Sequence, residues 1–187
     1  RKSDEYVLDF DTEQSDYYAQ RTFKGVAEVV GTIYPQYLTF KICHLTAEER
    51  VAFIDKVLEH YKGKMKMVFI DGIADLMNDV NNLEWSNQIV HKLIKWADQY
   101  KIHICTIIHV AYGVTKATGH LGSAVTKKAE TVFLLKPDEN NKDIVEVIPQ
   151  YTRGYPFDAF KFMVDSNDFT IYPYDERLQP ITFGIRP

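Results

Sequence analysis

Three polar side chains stand just after three apolar stretches of the chain, where buried β-strands are expected to end. Asp71 directly follows Met67–Ile70, an uninterrupted apolar run that is typical of a strand buried on both faces. Glu13 and His109 follow two further strand-like runs. Parallel strands of one sheet end on the same side, so the three side chains are expected to converge on one crevice.

Together these residue types could carry out nucleotide hydrolysis. A carboxylate such as Asp71 can hold Mg²⁺, directly or through water. A second carboxylate, Glu13, can polarise the attacking water, and His109 can sense the terminal phosphate. Each residue also has a plain structural interpretation, as a turn Asp, a helix N-terminal acid or a core histidine. The combination at three strand ends, more than any single residue, favours a functional crevice.

The elements predicted to carry these residues alternate between strands and helices. Strands are predicted from β-branched and aromatic runs at Tyr6–Asp11, Leu38–Leu45, Lys66–Asp71, Ile102–Val110 and Thr131–Leu135. Helices are predicted from apolar spacing from Ser15 or Asp16 to Val30, from Thr46 to Gly63, from Leu83 to Tyr100 and from Ser123 to Glu130. This alternation is typical of a mostly parallel sheet flanked by helices.

Local signals define several of these boundaries. The segment Thr46–Glu49 has the form of a capping box, in which the Thr side chain caps the helix and the last Glu reaches back. Gly31 and Gly63 can end the first two helices. The segment Ala111–Gly122 holds three Gly and several small polar residues, which predicts a long mobile loop.

The last third of the chain has a different pattern. Strands are predicted at Ile144–Thr152, Ala159–Val164 and Phe169–Tyr172, with turns but no helices between them. They predict an antiparallel meander at an edge of the parallel sheet. The fold class is therefore α/β, as one domain over residues 1–187, with residues 173–187 as a loose Pro-rich tail.

The composition narrows the function classes. The chain has 187 residues, with 22 Lys and Arg against 26 Asp and Glu, and a net charge of −4. This charge argues against a protein coated by nucleic acid, although it allows a local basic loop. Cys43 and Cys105 lie in apolar runs and are expected to be buried thiols, and no Cys/His spacing indicates zinc.

Targeting signals and the start of the chain give two further expectations. No apolar run reaches the length of a membrane span and no signal peptide is present, so a cytoplasmic protein is expected. A short charged stretch, Arg1–Glu5, precedes the first strand, and no initiator Met is present. The chain is therefore expected to be a fragment of a longer protein.

The order of these motifs resembles that of RecA-type ATPases, and within them the RepA and DnaB helicase group. Val7–Glu13 looks like the core strand that ends in the catalytic glutamate of those proteins. Met67–Asp71 resembles their Walker B strand, and Ile107–His109 is similar to the strand that ends in the sensor residue. That sensor is His in RepA-like helicases and commonly Gln elsewhere. The resemblance implies a RecA-like fold.

Two further stretches extend the resemblance, which covers about Tyr6–Tyr172. Gly119–Ala124, followed by Lys127–Glu130 and a strand, resembles the Gly-Ser element and next strand of the DnaB and RepA group. Tyr151–Gly154 resembles the Lys-x-Arg-x-Gly turn, whose Arg acts as a finger on the nucleotide of a neighbouring subunit. Each motif is short, and their order and spacing together carry the resemblance.

The resemblance implies cofactors, partners and site residues. ATP and Mg²⁺ are the implied cofactors, and Asp71 is the implied Mg²⁺ ligand. The implied catalytic residues are Glu13, His109 and Arg153, of which the arginine acts in trans within a homo-oligomeric ring. The loop before the Gly-Ser element faces the channel of such rings, so single-stranded DNA is the implied partner. The implied DNA-binding residues are Lys116, His120, Lys127 and Lys128.

The sequence departs from the family pattern in two places. No Gly-x-x-x-x-Gly-Lys-Ser/Thr motif occurs, so the loop that cradles phosphates in P-loop ATPases is missing. In the family this loop lies upstream of the Tyr6–Asp11 strand, so truncation before Arg1 is expected, and the chain as given should bind ATP poorly. Tyr151 stands where helicases usually carry a Lys, which leaves Arg153 as the candidate finger.

Three function classes are compatible with these features. The first is the ATPase core of a DNA-acting motor in replication or mobile-element transfer. The second is a RecA-fold module that binds DNA or a protein partner without hydrolysing nucleotide, which the absent phosphate loop favours. The third is an ATPase that acts on protein partners, as circadian-clock and DNA-repair relatives of the same core do.

Overall fold

The computed structural model describes residues 5–31, 34–110, 114, 117, 119–167 and 170–174. The first part contains β1 (Tyr6–Asp11), α1 (Asp16–Val30), β2 (Tyr37–Lys41), α2 (Ala47–His60), β3 (Met65–Asp71), a 3₁₀ turn (Ile73–Leu76), α3 (Leu83–Tyr100), β4 (His103–Ile107) and α4 (Gly119–Lys128). The second part contains β5 (Thr131–Pro137), β6 (Ile144–Thr152), β7 (Phe160–Val164) and β8 (Ile171–Tyr174).

The described strands form two sheets. The first has the order β2-β1-β3-β4 and is parallel throughout, as the βα alternation predicts. The second has the order β5-β6-β7-β8 and is antiparallel. The predicted class, a mostly parallel sheet flanked by helices with a C-terminal antiparallel meander, is confirmed. The predicted placement of the meander at an edge of the parallel sheet is wrong, because β5 takes β6 as its hydrogen-bonded neighbour.

The main core lies on one face of the parallel sheet. Leu8 and Phe10 of β1 and Ile70 of β3 are fully buried there. They belong to one cluster with residues of α2 and α3, which are Ile54, Leu58, Ile89 and Trp96. Successive side chains of a strand point to opposite faces, so the residues between these core positions face the other way. For this reason the carboxylates of Asp9 and Asp11 lie together on the second face of the sheet.

Two of the three predicted helix-boundary signals are confirmed by the structure. The Thr46 side chain accepts the Glu49 N–H at 3.3 Å, and Glu49 Oε2 accepts the Thr46 N–H at 2.9 Å, which completes the capping box of α2. Gly31 ends α1 in the left-handed conformation, with φ 78°. Gly63 also has a positive φ, but α2 ends at His60, so this glycine belongs to the turn after the helix.

Several predicted boundaries move. β2 ends at Lys41 and β4 at Ile107, before the predicted ends at Leu45 and Val110. α4 begins at Gly119, so the last four residues of the predicted Ala111–Gly122 loop are helical; residues 111–113, 115–116 and 118 lie outside the described residues. β8 includes residues 173 and 174, which pair with β7, so the predicted tail begins too early.

The remaining predictions concern thiols and membrane segments. Cys43 and Cys105 are both free thiols, half-buried and not joined in a disulfide. Burial raises the pKa of the Cys105 thiol, which keeps it in the protonated form at neutral pH. Among the helices that the structure describes, none combines the length and the apolar composition needed to cross a membrane.

Candidate functional site

The strand register sets the geometry of the predicted crevice. Asp11 of β1 lies beside Asp71 of β3, and Asp71 lies beside Ile107 of β4. Glu13 lies two residues after Asp11, beyond the end of β1, and His109 lies two residues after Ile107, beyond the end of β4. β1 and β4 are the two neighbours of β3. The structure therefore brings Glu13, Asp71 and His109 together at the carboxyl ends of three adjacent parallel strands, where open α/β sheets bind ligands.

Glu13 and His109 contact each other directly. Glu13 Oε2 lies 3.0 Å from His109 Nε2, within hydrogen-bond distance. The His109 side chain is 70% exposed and that of Glu13 is 38% exposed, so both remain accessible from solvent. A carboxylate paired with an imidazole at an open edge can accept or move a proton of a bound water, provided that the substrate places that water nearby.

The Asp71 carboxylate is half-buried beside other negative charges. Burial raises its pKa, and the charges of Glu13 and Asp11 raise it further. His109 and a hydrogen bond from Gln14 act in the opposite direction. A divalent cation at this position would relieve the repulsion among the carboxylates.

The available donors fit Mg²⁺ by type. Asp71 and Glu13 offer carboxylate oxygens, and Mg²⁺ commonly takes one or two carboxylates and completes its shell with water and substrate phosphates. Within the described ranges, no three or more His, Cys, Asp or Glu side chains form a ready-made metal cluster. Asp71 lies at the end of a buried strand, so its position is fixed by the sheet and not by a loop.

Asp11, which was not predicted from the sequence as a site residue, shapes the chain just before Glu13. Asp11 is 4% exposed, and its Oδ1 accepts the backbone N–H of Glu13 at 3.0 Å and that of Gln14 at 2.8 Å. This side-chain turn directs the backbone away from the sheet at the end of β1. An Asp placed two residues before a candidate catalytic Glu, at a strand end, is the signal that could have found it.

Gly72 provides the space that Glu13 occupies. A Cβ atom added at Gly72 would lie 2.7 Å from Glu13 Oε1, closer than any ordinary contact. The peptide bond between Asp71 and Gly72 is cis. The absence of a side chain at this position therefore allows the Glu13 carboxylate to approach the backbone that follows Asp71.

Arg153 lies elsewhere in the chain, at the C-terminal end of α4. Its Nη2 donates to the Lys127 carbonyl at 2.8 Å and its Nε donates to the Ala129 carbonyl at 3.2 Å. A cationic side chain is favourable at a helix C-terminus. Within one chain, the described contacts of Arg153 are with this helix end and not with Glu13 or Asp71.

Three of the four predicted DNA-binding residues line one cleft between α3 and α4, with a volume of about 160 Å³. The cleft is lined by Leu83, Asn87, Val90, His91, His120, Ser123, Ala124, Lys127 and Lys128. None of these lining residues is acidic. Lys116, the fourth predicted residue, lies outside the described residues. Asn87 and His91 also line this cleft and were not singled out from the sequence; they lie four residues apart on an exposed face of α3.

Comparisons with known proteins give matches at the level of structure. No protein-family model matches the chain, and no curated protein matches it in sequence. The solved structure of an ATPase domain superposes with a TM-score of 0.69 at 15% identity, over 92% of this chain and 75% of that one. A DnaB-like replicative helicase, solved to show its interactions with primase, superposes with a TM-score of 0.66 at 14% identity.

The coverage and the sequence identity of these matches limit the comparison to the fold. The DnaB-like helicase match covers 92% of this chain but 52% of the helicase chain, so this chain spans about half of it. At such low identity the likeness concerns the fold, because one fold hosts many functions. The chain has the RecA-like α/β fold found in the ATPase domains of DnaB-like helicases.

Proposed function

We propose that the chain is the ATPase core of a DNA-acting RecA-like motor, of the replicative or mobile-element helicase type. One observation carries this proposal: the convergence of Glu13, Asp71 and His109 at the ends of three parallel strands, with a 3.0 Å contact between Glu13 and His109. The same fold in a solved ATPase domain and in a DnaB-like helicase supports the choice of this motor class.

Each of the three side chains has a role in the proposed hydrolysis. Asp71 holds Mg²⁺, which supplies charge neutralisation at the phosphates when it is bound. Glu13 orients and polarises the attacking water, and its position two residues beyond β1 keeps it at the mouth of the crevice. His109 contacts the terminal phosphate and, through its pairing with Glu13, links the presence of that phosphate to the orientation of the base.

The proposed activity needs two components that one copy of these residues does not supply. The first is a phosphate-binding loop, because the sequence contains no Gly-x-x-x-x-Gly-Lys-Ser/Thr motif. The second is a positive charge on the transferred phosphoryl group, which Arg153 of a neighbouring subunit provides in trans. Arg153 suits this role because a guanidinium stays charged and binds phosphate in a bidentate manner. The active state is therefore a homo-oligomeric ring.

Single-stranded DNA is the proposed partner of the cleft between α3 and α4. His120, Lys127 and Lys128 line it together with His91, and none of the lining residues repels a phosphate. The chain as a whole carries a net charge of −4, so a cleft that contains basic residues and no acidic ones marks a local preference for a polyanion. Lys116 is proposed as a further DNA-binding residue.

Two other candidate functions differ in a measurable way. A RecA-fold module that binds DNA or a protein partner without hydrolysis is favoured by the absence of the phosphate-loop motif from this sequence. An ATPase that acts on protein partners is compatible with the same core. The binding module would show no ATP turnover, whereas the ATPase that acts on protein partners would show turnover that does not respond to DNA.

The proposal is tested by ATP hydrolysis in the full-length protein. Phosphate release should require Mg²⁺, stop on addition of EDTA, and increase when single-stranded DNA is added. The Asp71→Asn variant should lose the Mg²⁺-dependent turnover, because an amide oxygen is a poorer ligand for a hard cation. Absence of turnover in the wild-type protein would support the binding module, and turnover unaffected by DNA would support action on another partner.

A further inference from the structure

We propose that Thr12 is a positioning residue, which holds Glu13 close to Asp71 because it connects the end of β1 by hydrogen bonds to the turn that follows β3. The inference rests on the proposed function of Glu13 and Asp71. Thr12 is 2% exposed, so its side chain is not accessible to a ligand in the crevice. A buried hydroxyl needs hydrogen-bond partners, and those of Thr12 are all on the segment that begins at Asp71.

The Thr12 hydroxyl accepts one hydrogen bond and donates another. Its Oγ1 accepts the Gly72 N–H at 2.9 Å. Its proton has three acceptors within reach, which are Asp75 Oδ2 at 2.8 Å, the Asp71 carbonyl at 3.0 Å and the Gly72 carbonyl at 3.2 Å. Asp75 is the nearest of the three, and a bond to a carboxylate is the strongest kind available to a hydroxyl. The hydroxyl thus joins the end of β1 to the turn after β3 at two points, Gly72 and Asp75.

The backbone of Thr12 adds a second connection. Its N–H donates to the Asp71 carbonyl at 2.7 Å, which continues the pairing of β1 with β3 one residue beyond Asp11. The next residue, Glu13, then leaves the sheet beside Gly72, where its Oε1 fills the space of the missing Cβ. The contacts of Thr12 with Asp71 and Gly72 therefore set how far Glu13 lies from the Asp71 carboxylate.

Arg50 of α2 holds the acceptor of the Thr12 hydroxyl in place. Its Nη1 donates to the Asp75 carbonyl at 2.7 Å, and the same nitrogen lies 3.9 Å from Asp75 Oδ2. Its other two nitrogens, Nε and Nη2, donate to the carbonyls of Ile42 and Cys43, which follow β2. The Arg50 side chain is 13% exposed and that of Asp75 is 36% exposed, so solvent screens the Arg50 end of this network less than the Asp75 end. Asp75 is thus anchored on both sides, and Thr12 binds to a fixed partner.

A matched pair of substitutions separates the hydroxyl from the shape of the side chain. Thr12→Val keeps the volume but removes both hydrogen bonds, whereas Thr12→Ser keeps the hydroxyl and loses a methyl group. In the full-length protein, Thr12→Val should lower kcat for ATP by about ten-fold or more, because small displacements of a reacting group are costly. KM for ATP should stay close to the wild-type value, and Thr12→Ser should restore most of kcat.

Two outcomes of this comparison would overturn the inference. One is a wild-type kcat in Thr12→Val; the other is an equal loss in Thr12→Ser, which would assign the effect to packing. If Thr12→Val does not fold, Asp75→Asn serves in its place, since it keeps an acceptor oxygen but weakens the bond from the hydroxyl. It should lower kcat by a smaller factor at unchanged KM, and a wild-type kcat there would equally contradict the inference.

A measurement without nucleotide separates this inference from the proposed function. Hydrogen exchange of the Gly72 amide reports the bond to Thr12 Oγ1 directly. Its protection should be lost in Thr12→Val and kept in Thr12→Ser. Equal protection in both variants would show that Thr12 does not hold the turn, even if the protein hydrolyses ATP. Loss of this protection in Thr12→Val, together with a wild-type protein that does not hydrolyse ATP, would instead support the role of Thr12 in holding the turn and reject the proposed hydrolysis.

Discussion

Glu13 and His109 lie 96 positions apart in the chain, yet Glu13 Oε2 and His109 Nε2 are 3.0 Å apart. The contact crosses over β3, because Glu13 follows β1 and His109 follows β4 while β3 lies between them. Asp71 ends that central strand. The candidate site therefore depends on strand order: its three residues follow or end three different strands, and the parallel register brings those strand ends to one side of the sheet.

Gly72→Ala should affect activity more than stability. The new Cβ would lie 2.7 Å from Glu13 Oε1, which is the end of a flexible side chain, so Glu13 can move away at small cost to the fold. We expect kcat for ATP to fall by about ten-fold or more in the full-length protein, with a nearly unchanged melting temperature.

Two other glycines provide controls for that variant. Gly154→Ala should leave the melting temperature unchanged, because nothing lies within 4 Å of its added Cβ. Gly122→Ala should lower the melting temperature, because its Cβ would lie 2.7 Å from the Ala117 backbone, which cannot move as freely. A stability loss in Gly72→Ala as large as that in Gly122→Ala would contradict the geometry described.

Asp9→Asn should stabilise the protein at neutral pH. Burial raises the pKa of the Asp9 carboxyl, and the charges of Asp11 and Asp71 raise it further, against the hydrogen bond from Tyr37. A carboxyl whose pKa is higher in the folded state destabilises that state above its folded pKa, and the penalty vanishes below its ordinary value of 3.8. Thermal unfolding should therefore show the gain of Asp9→Asn at pH 7 but not near pH 3.

Tyr37→Phe tests the hydrogen bond at the same place. The Tyr37 hydroxyl donates to Asp9 Oδ2 at 2.8 Å, so its removal leaves a partly buried carboxylate with fewer partners. We expect a loss of about 1–3 kcal/mol in the free energy of unfolding at pH 7, and a smaller loss in the Asp9→Asn background. Equal losses in the two backgrounds would show that the Asp9 charge does not matter to this contact.

Mixing two inactive variants should test whether Arg153 acts in trans. Arg153→Ala should lower hydrolysis on the order of 10³-fold in assembled protein, as expected for an arginine finger. Glu13→Gln should be inactive for a different reason. In mixed rings, the intact Glu13 of one subunit meets the intact Arg153 of the next, so hydrolysis should reappear on mixing. No recovery, in rings shown to be mixed, would place the function of Arg153 within its own subunit or at the end of α4.

The cleft between α3 and α4 should contribute to DNA binding through its lysines. Lys127→Ala should weaken binding of labelled single-stranded DNA for all sequences tested and reduce the salt slope by about 0.7 for each phosphate that is no longer neutralised. Lys142→Ala, at an exposed lysine outside the cleft, is the matched control and should leave both quantities unchanged. An equal weakening in both variants would indicate that only net charge matters.

Local signals predicted much of the parallel sheet and its helices. The capping box at Thr46, the glycine at position 31 and the apolar runs of β1, β3 and β4 each act within a few residues, so they can be read along the chain. The proximity of Glu13, Asp71 and His109 also followed, because parallel strands that share a sheet end on one side.

Other features depend on partners that are distant in the chain. Thr12 has no local signal, because its hydroxyl partners lie about 60 residues away, at Gly72 and Asp75.

The start of α4 at Gly119 is not expected from sequence, because glycine has a low helix propensity. Leu121 is fully buried in this first turn, and its tertiary packing outweighs that propensity. The separation of the two sheets depends on which edge β5 pairs with, and a strand pattern does not specify that edge.

Hydrolysis by a Glu13→Gln variant of the full-length protein tests the central claim most directly. Gln keeps the size of the side chain and can still accept a hydrogen bond from His109, but it cannot take a proton from water. We expect Mg²⁺-dependent ATP binding at wild-type affinity in this variant, together with loss of phosphate release. Phosphate release at the wild-type rate would remove Glu13 from the mechanism and contradict the assignment of this site.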